Sequence, residues 1–466
     1  MRYLLYCLIA IALLGSPVWA GDFHAGVATV DITPPVGYRM SGYFRERLST
    51  GTHDPLLAKA LYLRQGDIEA AMVFCDIIGI APAVSRQARD DAAKATGVPA
   101  DNIVIAATHS HTGPLYFGAM RNHFHQQAVA QEGSDKAEAV DFPDQFARKC
   151  VEAIASAKKT ARPVALQAGF AEQQGLSFNR RFHMKDGTVR FNPGKQNANI
   201  VRVAGPIDPE VGLLLLKDIE AKQPLATVTT FALHLDTVGG TEYAADFPLY
   251  LSNRLQAKHG EEFISMFAAG TCGDINHIDV SHKRPQKGHG EAERIGTALG
   301  ETVAASLAKL PQIGDVSLAV RSKVVGAPMQ KFSDEEIANA RADLPKIGTR
   351  ELSFLDQVKT YKIAAVAMRG GDTLPLEVQV FRLSPEVAVV ALPGEVFVDL
   401  GLAIKTASPF ETTIVMELCN DAPGYIPTKK AFAEGSYETV NSRIAPSGGE
   451  MMVEAAVQLL KELDTE

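Results

Sequence analysis

The sequence predicts a layered α/β fold, a mixed sheet flanked by helices, with a metal site at the ends of its strands. Three observations predict it. Strand-like apolar runs alternate with amphipathic helical runs along most of the chain. No repeat, low-complexity stretch or Pro/Ser-rich linker divides it. And several of the apolar runs break off into His, Asp, Glu or Tyr.

The first twenty residues, MRYLLYCLIAIALLGSPVWA, carry one Arg, an apolar run and the small-residue end Val18-Trp19-Ala20. That is the layout of a secretory signal peptide. The apolar run is short for a membrane span and no stop-transfer pattern follows, so no stable span is expected. The expectation is an exported protein, periplasmic or secreted, with residues 21–466 as one catalytic-type domain. The formal net charge of −8 argues against a nucleic-acid partner. Cys75, Cys150, Cys272 and Cys419 lie far apart and form no C-x-x-C pair, which excludes a disulfide scaffold and a cysteine zinc knuckle. They read as buried thiols.

The elements follow in order. ALYLRQGDIEAAMVFCDIIGI (60–80) reads as two strands around the turn Gly66-Asp67, and SRQARDDAAKATG (85–97) as an amphipathic helix stopped by Gly97. IVIAA (103–107) is a strand and PDQFARKCVEAIASAKK (143–159) a helix. LATVTTFAL (225–233), rich in β-branched residues, and FISMFAA (263–269) are strands. EAERIGTALGETVAASLAKL (291–310) is a long helix. EVQVFRL, VAVVAL and TTIVMEL are three late strands, and a helix over about 450–463 closes the chain. The charged, helix-rich segment 331–373 reads as an insertion.

The strand ends carry the chemistry. IVIAA runs into Thr108-His109-Ser110-His111, FAL into His234-Leu235-Asp236, and FISMFAAG into Thr271-Cys272-Gly273-Asp274-Ile275-Asn276-His277. VAVVALPG runs into Glu395, and TTIVMELCNDAPG into Tyr425. In open α/β sheets ligands bind beyond the carboxyl ends of strands. Two His, a Glu and a Tyr offer nitrogen and oxygen ligands of the kind zinc takes. A single strand-end His is more often a core or loop residue than a ligand; several together favour a site. On an extended segment, His109 and His111 would share one face roughly 7 Å apart, too far to bind one ion without a sharp bend. His123 and His125 have no apolar strand before them and read as a polar loop. His282 and His289 read as surface. H-E-x-x-H, G-x-S-x-G and P-loop motifs are absent from the sequence.

Taken in order, these motifs resemble the neutral (non-lysosomal) ceramidase family. AGVATVDITPPVGYRMSGY (25–43) is similar to its opening stretch, ATHSHTGP to its Thr-His-Thr-His-Ser-Gly-Pro signature and FNRR (178–181) to its Asn-Arg segment. FALH (231–234) resembles its Phe-Ala-x-His segment, AADF (244–247) an Asp-containing turn and AGTCGDIN its Gly-Asp/Asn-x-Ser stretch. LPGEVF (392–397) and NDAPGYIPT (420–428) resemble its Pro-Gly-Glu-Phe and Asn-x-Tyr-x-x-Tyr-x-Thr-Thr segments.

The resemblance implies zinc held by His109, His234, Glu395 and Tyr425, with His111 beside the metal for proton transfer and Arg180 facing the substrate. It implies hydrolysis of an amide (N-acyl) bond of a small-molecule or lipid substrate by a metal-activated water, with ceramide the first expectation. Two departures stand out. Where the family has a catalytic serine, this chain has Asn276, a hydrogen-bonding but non-nucleophilic side chain taken here as a catalytic donor. The family's C-terminal immunoglobulin-like domain has no counterpart after the Tyr motif. The rival expectations are a hydrolase of another amide or ester, such as an acylated extracellular glycan, and a binding relative without catalysis.

Overall fold

The computed structural model describes residues 23–465. The expected leader over residues 1–20 lies outside them. Two sheets form the centre. The larger has eight strands in the spatial order Ile264–Ala269, Pro224–Phe231, Glu210–Asp218, Arg162–Glu172, Phe23–Asp31, Leu57–Gln65, Ile68–Cys75 and Ile103–Ala107. The smaller has four: Ala319–Pro328, Thr373–Ser384, Val387–Ala391 and Thr412–Met416. Their inner faces pack on each other. Leu61, Val104, Leu214 and Met266 of the first meet Phe381, Val389 and Ile414 of the second in one buried cluster. Helices cover the outer faces: Pro82–Thr96, Phe142–Lys159, Phe247–His259 and His289–Ser306 on the large sheet, Val398–Ala407 and Gly448–Asp464 on the small one.

Most neighbouring strands are antiparallel, as in the hairpin Leu57–Gln65/Ile68–Cys75, where Gln65 opposes Ile68 across the turn at Gly66 and Asp67. Within these two sheets three pairs are parallel: Ile68–Cys75 with Ile103–Ala107, Pro224–Phe231 with Ile264–Ala269, and Val387–Ala391 with Thr412–Met416. A parallel pair needs a crossover connection, usually a helix. Here the crossovers are Pro82–Thr96, Phe247–His259 and Val398–Ala407. Each crossover unit brings two carboxyl ends side by side. The three units also meet one another: Ala107 N–H donates to Leu418 O (3.1 Å), Asn420 N–H to Ile105 O (2.7 Å) and Glu417 N–H to Ala269 O (2.9 Å).

The charged segment is helical as expected. Asp334–Asp343 and Phe354–Arg369 leave and rejoin the sheet at the tip of the hairpin Ala319–Pro328/Thr373–Ser384, where Pro328 opposes Thr373. A Ser333/Glu336 capping box starts the first helix. The polar-loop reading of His123 and His125 is corrected. Both lie in the helix Gly118–Glu132, which buries only Ala119 and Phe124 and so shows little apolar periodicity. Charge fixes that region instead: His125 and Arg39 engage Asp135, and Arg121 engages Glu138. The four cysteines named above are buried and unbridged.

Candidate metal centre

The carboxyl ends of the parallel strands converge on one point. Nε2 of His109 lies 3.0 Å from Nε2 of His234 and 3.4 Å from Nε2 of His111, and the latter two are 3.2 Å apart. Glu395 Oε2 stands 3.5 Å from His109 Nε2 and 3.9 Å from His234 Nε2. The expected spacing of roughly 7 Å between the two His-Ser-His rings is not found. His109 takes a φ of 79°, so the segment is not extended. That left-handed turn is uncommon for a side chain larger than glycine and folds both rings inward. It is fixed by His109 N–H donating to Ile77 O (3.0 Å) and His111 N–H donating to Leu235 O (3.2 Å).

The tautomers follow from the partners. His109 Nδ1 faces Ile78 O at 2.7 Å and His111 Nδ1 faces Gly42 O at 3.1 Å. A carbonyl only accepts, so each Nδ1 carries the proton and each neutral ring turns its Nε2 lone pair inward. Burial, then His109, pushes His111 down to about 4, and the same two causes hold His234 well below its usual value. Three ring nitrogens meet at these distances, at least two of them as lone pairs, which repel unless a cation sits among them. Zinc–nitrogen bonds of about 2.0–2.1 Å in a tetrahedron place nitrogens ~3.3 Å apart, the spacing found here. The residues therefore fit a metal ion, and they form one of the two clusters among the described residues with ligand atoms close enough for one. In the other, His125, Asp135 and Glu138, the carboxylates are already taken by Arg39 and Arg121.

The surroundings are charged. Burial would raise Glu395, but His109, Tyr425 and Arg180 hold its carboxyl below the ordinary range. Burial and Glu395 raise Tyr425, which pairs with Glu395 across the short parallel bridge Glu395–Val396/Tyr425–Ile426, and Tyr437 is raised to about 12. Arg180 is buried, with its guanidinium carbon 5.4 Å from the Tyr425 ring centre and 5.8 Å from that of Tyr437. Its Nε donates to Glu438 (2.9 Å) and its Nη2 to Gly273 O (2.7 Å). Asp236 faces His277 Nδ1 at 3.2 Å. Its burial is outweighed above all by His277, which holds its carboxyl well below the ordinary range.

Asn276 is fully buried. Its Nδ2 donates to Asn192 Oδ1 (3.1 Å) and its Oδ1 accepts from Ile278 N–H (3.0 Å). Asn192 thus takes one of the two Nδ2 hydrogens and leaves the other to donate. Asn276→Ala strands both partners and is expected to cost about 1–3 kcal/mol of stability, read from urea unfolding. An unchanged midpoint would show that these bonds are not what the residue is for.

Asp236 and His277 belong to strand-end runs legible in the sequence, but nothing there separates them from ordinary polar loop residues. Tyr437 and Glu438 sit in the short helix Tyr437–Asn441, away from any strand end, and no sequence signal marks them.

Residues 23–277 match the family described as neutral/alkaline non-lysosomal ceramidase, N-terminal. A neutral ceramidase from Pseudomonas aeruginosa is similar in structure at 19% identity, over 96% of this chain and 75% of that one, with a TM-score of 0.70. A ceramidase complexed with C2 is similar at 17% identity, over 96% and 76%, with a TM-score of 0.69. At such identities the likeness speaks for the fold. No curated protein matches the chain.

Proposed function

Because this chain belongs to the neutral/alkaline non-lysosomal ceramidase family, we propose that it is an exported amidohydrolase cleaving an N-acyl bond at a zinc ion held by His109, His234, Glu395 and Tyr425. The observation that carries the reading is the convergence of three imidazole nitrogens and one carboxylate on a single point. Zinc, when bound, lowers the pKa of water toward neutrality and polarises a carbonyl.

The chain's own residues supply the rest. His109 and His234, 3% and 1% exposed, are the imidazoles that stand against Glu395. His111 is the third ring, less buried than the other two. With its Nδ1 proton held by Gly42 O, its Nε2 can take a proton at the reacting centre and pass it to the leaving amine. Arg180, pinned by Glu438, places a permanent positive charge where the substrate carbonyl oxygen gathers negative charge. We place residues 21–466 in one catalytic domain, with the helices Asp334–Asp343 and Phe354–Arg369 as its insertion. Among the described residues no helix is long and apolar enough to cross a membrane.

Ceramide is the first substrate to test. Asn276 in place of the family serine favours a second reading, an N-acyl or O-acyl compound that differs near the scissile bond. The test is a panel of N-acyl lipids and acylated sugars, assayed before and after chelation, with elemental analysis of the dialysed protein. The reading expects near-stoichiometric zinc and chelator-sensitive amide cleavage. Turnover that survives complete removal of the metal would overturn it.

A further inference from the structure

Glu417 is 0% exposed and belongs to none of the roles above. It follows the strand Thr412–Met416. Its Oε2 accepts from Val396 N–H at 2.6 Å and its Oε1 from Cys272 Sγ at 3.0 Å. Its own N–H donates to Ala269 O at 2.9 Å. One carboxyl group thus ties the loop that carries Glu395 to the loop that carries Gly273 and Asp274. The two loops are in backbone contact: Gly273 N–H donates to Val396 O (2.9 Å), and a Cβ on Gly273 would fall 2.4 Å from the Glu395 carbonyl oxygen. Only glycine admits that approach.

A buried carboxyl is costly unless its oxygens are occupied, and an apolar residue would fill the space as well. Its use here is the donors it satisfies. Val396 N–H belongs to the peptide that follows Glu395, so the bond to Glu417 fixes the plane from which the Glu395 side chain departs. Ligand side chains need placement to within about 0.5 Å, and the groups that hold them commonly matter tenfold to a hundredfold for metal affinity.

Resting on the zinc reading above, we propose that Glu417, with Cys272 as its second arm, is a positioning residue that holds Glu395 in place to take the metal. Glu417→Met and Glu417→Gln have nearly the same volume, and only Gln keeps an acceptor oxygen for Val396 N–H. Zinc affinity is read by competition with a chromophoric chelator, and folding by thermal unfolding of the chelated proteins. Met is expected to weaken zinc at least tenfold and Gln about threefold or less, while the two lose similar melting temperature. A folded Met variant that binds zinc as wild type does overturns the proposal. If the Met variant does not fold, Cys272→Ala carries the test: about threefold weaker zinc supports it, and unchanged affinity overturns it. Failure of wild type to bind zinc would sink the reading of the site itself, a separate result.

Discussion

Alanine at His234 is expected to leave the protein folded, to abolish zinc binding and to slow kcat/KM at least a thousandfold. His234 is 1% exposed, and its Nε2 lies 3.0 Å from that of His109 and 3.2 Å from that of His111. Its removal takes away one nitrogen donor. The remaining groups would hold the ion too loosely to survive dialysis. Losing the polarising charge in a buried site forfeits several kcal/mol of transition-state stabilisation, and a thousandfold corresponds to about 4 kcal/mol. Folding should survive, because without a metal the site is a cluster of facing ring nitrogens and gains little from the ring. Elemental analysis after dialysis, circular dichroism and single-turnover assays check the three parts. Stoichiometric metal in both His234→Ala and His109→Ala would remove the basis for the site.

The strands and helices were legible because their periodicities are strong. The parallel pairs were not, since pairing partners are not written in one strand's pattern. Strand-end polarity located His109, His234, Glu395 and Tyr425 without showing that they converge; the backbone contacts of Ala107, Glu417 and Asn420 bring them together. The His109 turn was illegible for a different reason. Its φ of 79° is imposed by bonds to Ile77 and, through His111, to Leu235, which are distant in sequence. Arg180 was named from a short motif, but Glu438, which pins it at 2.9 Å, lies 258 residues away. The helix of His123 and His125 escaped notice because charge pairs, not an apolar stripe, hold it.

Glutamine at His111 is expected to keep the metal and lose turnover by about a hundredfold to ten-thousandfold, the range for a general acid–base group. The geometry makes this a demanding test. His111 Nε2 is as near to the other two rings as they are to each other, within 0.4 Å, so distance does not by itself exclude it as a ligand. What separates it is its place relative to Glu395. Glu395 stands against His109 and His234, whereas His111 is the more exposed ring and is bounded by Asp236 and, at 6.2 Å between ring centres, by Tyr43. A group that must take and release a proton each cycle belongs on that side. Glutamine preserves polarity but cannot carry a proton at neutral pH. The expected signature is therefore a fall in kcat with KM little changed and zinc retained. If His111→Gln instead loses zinc as completely as His109→Ala, the ion is held by three imidazoles.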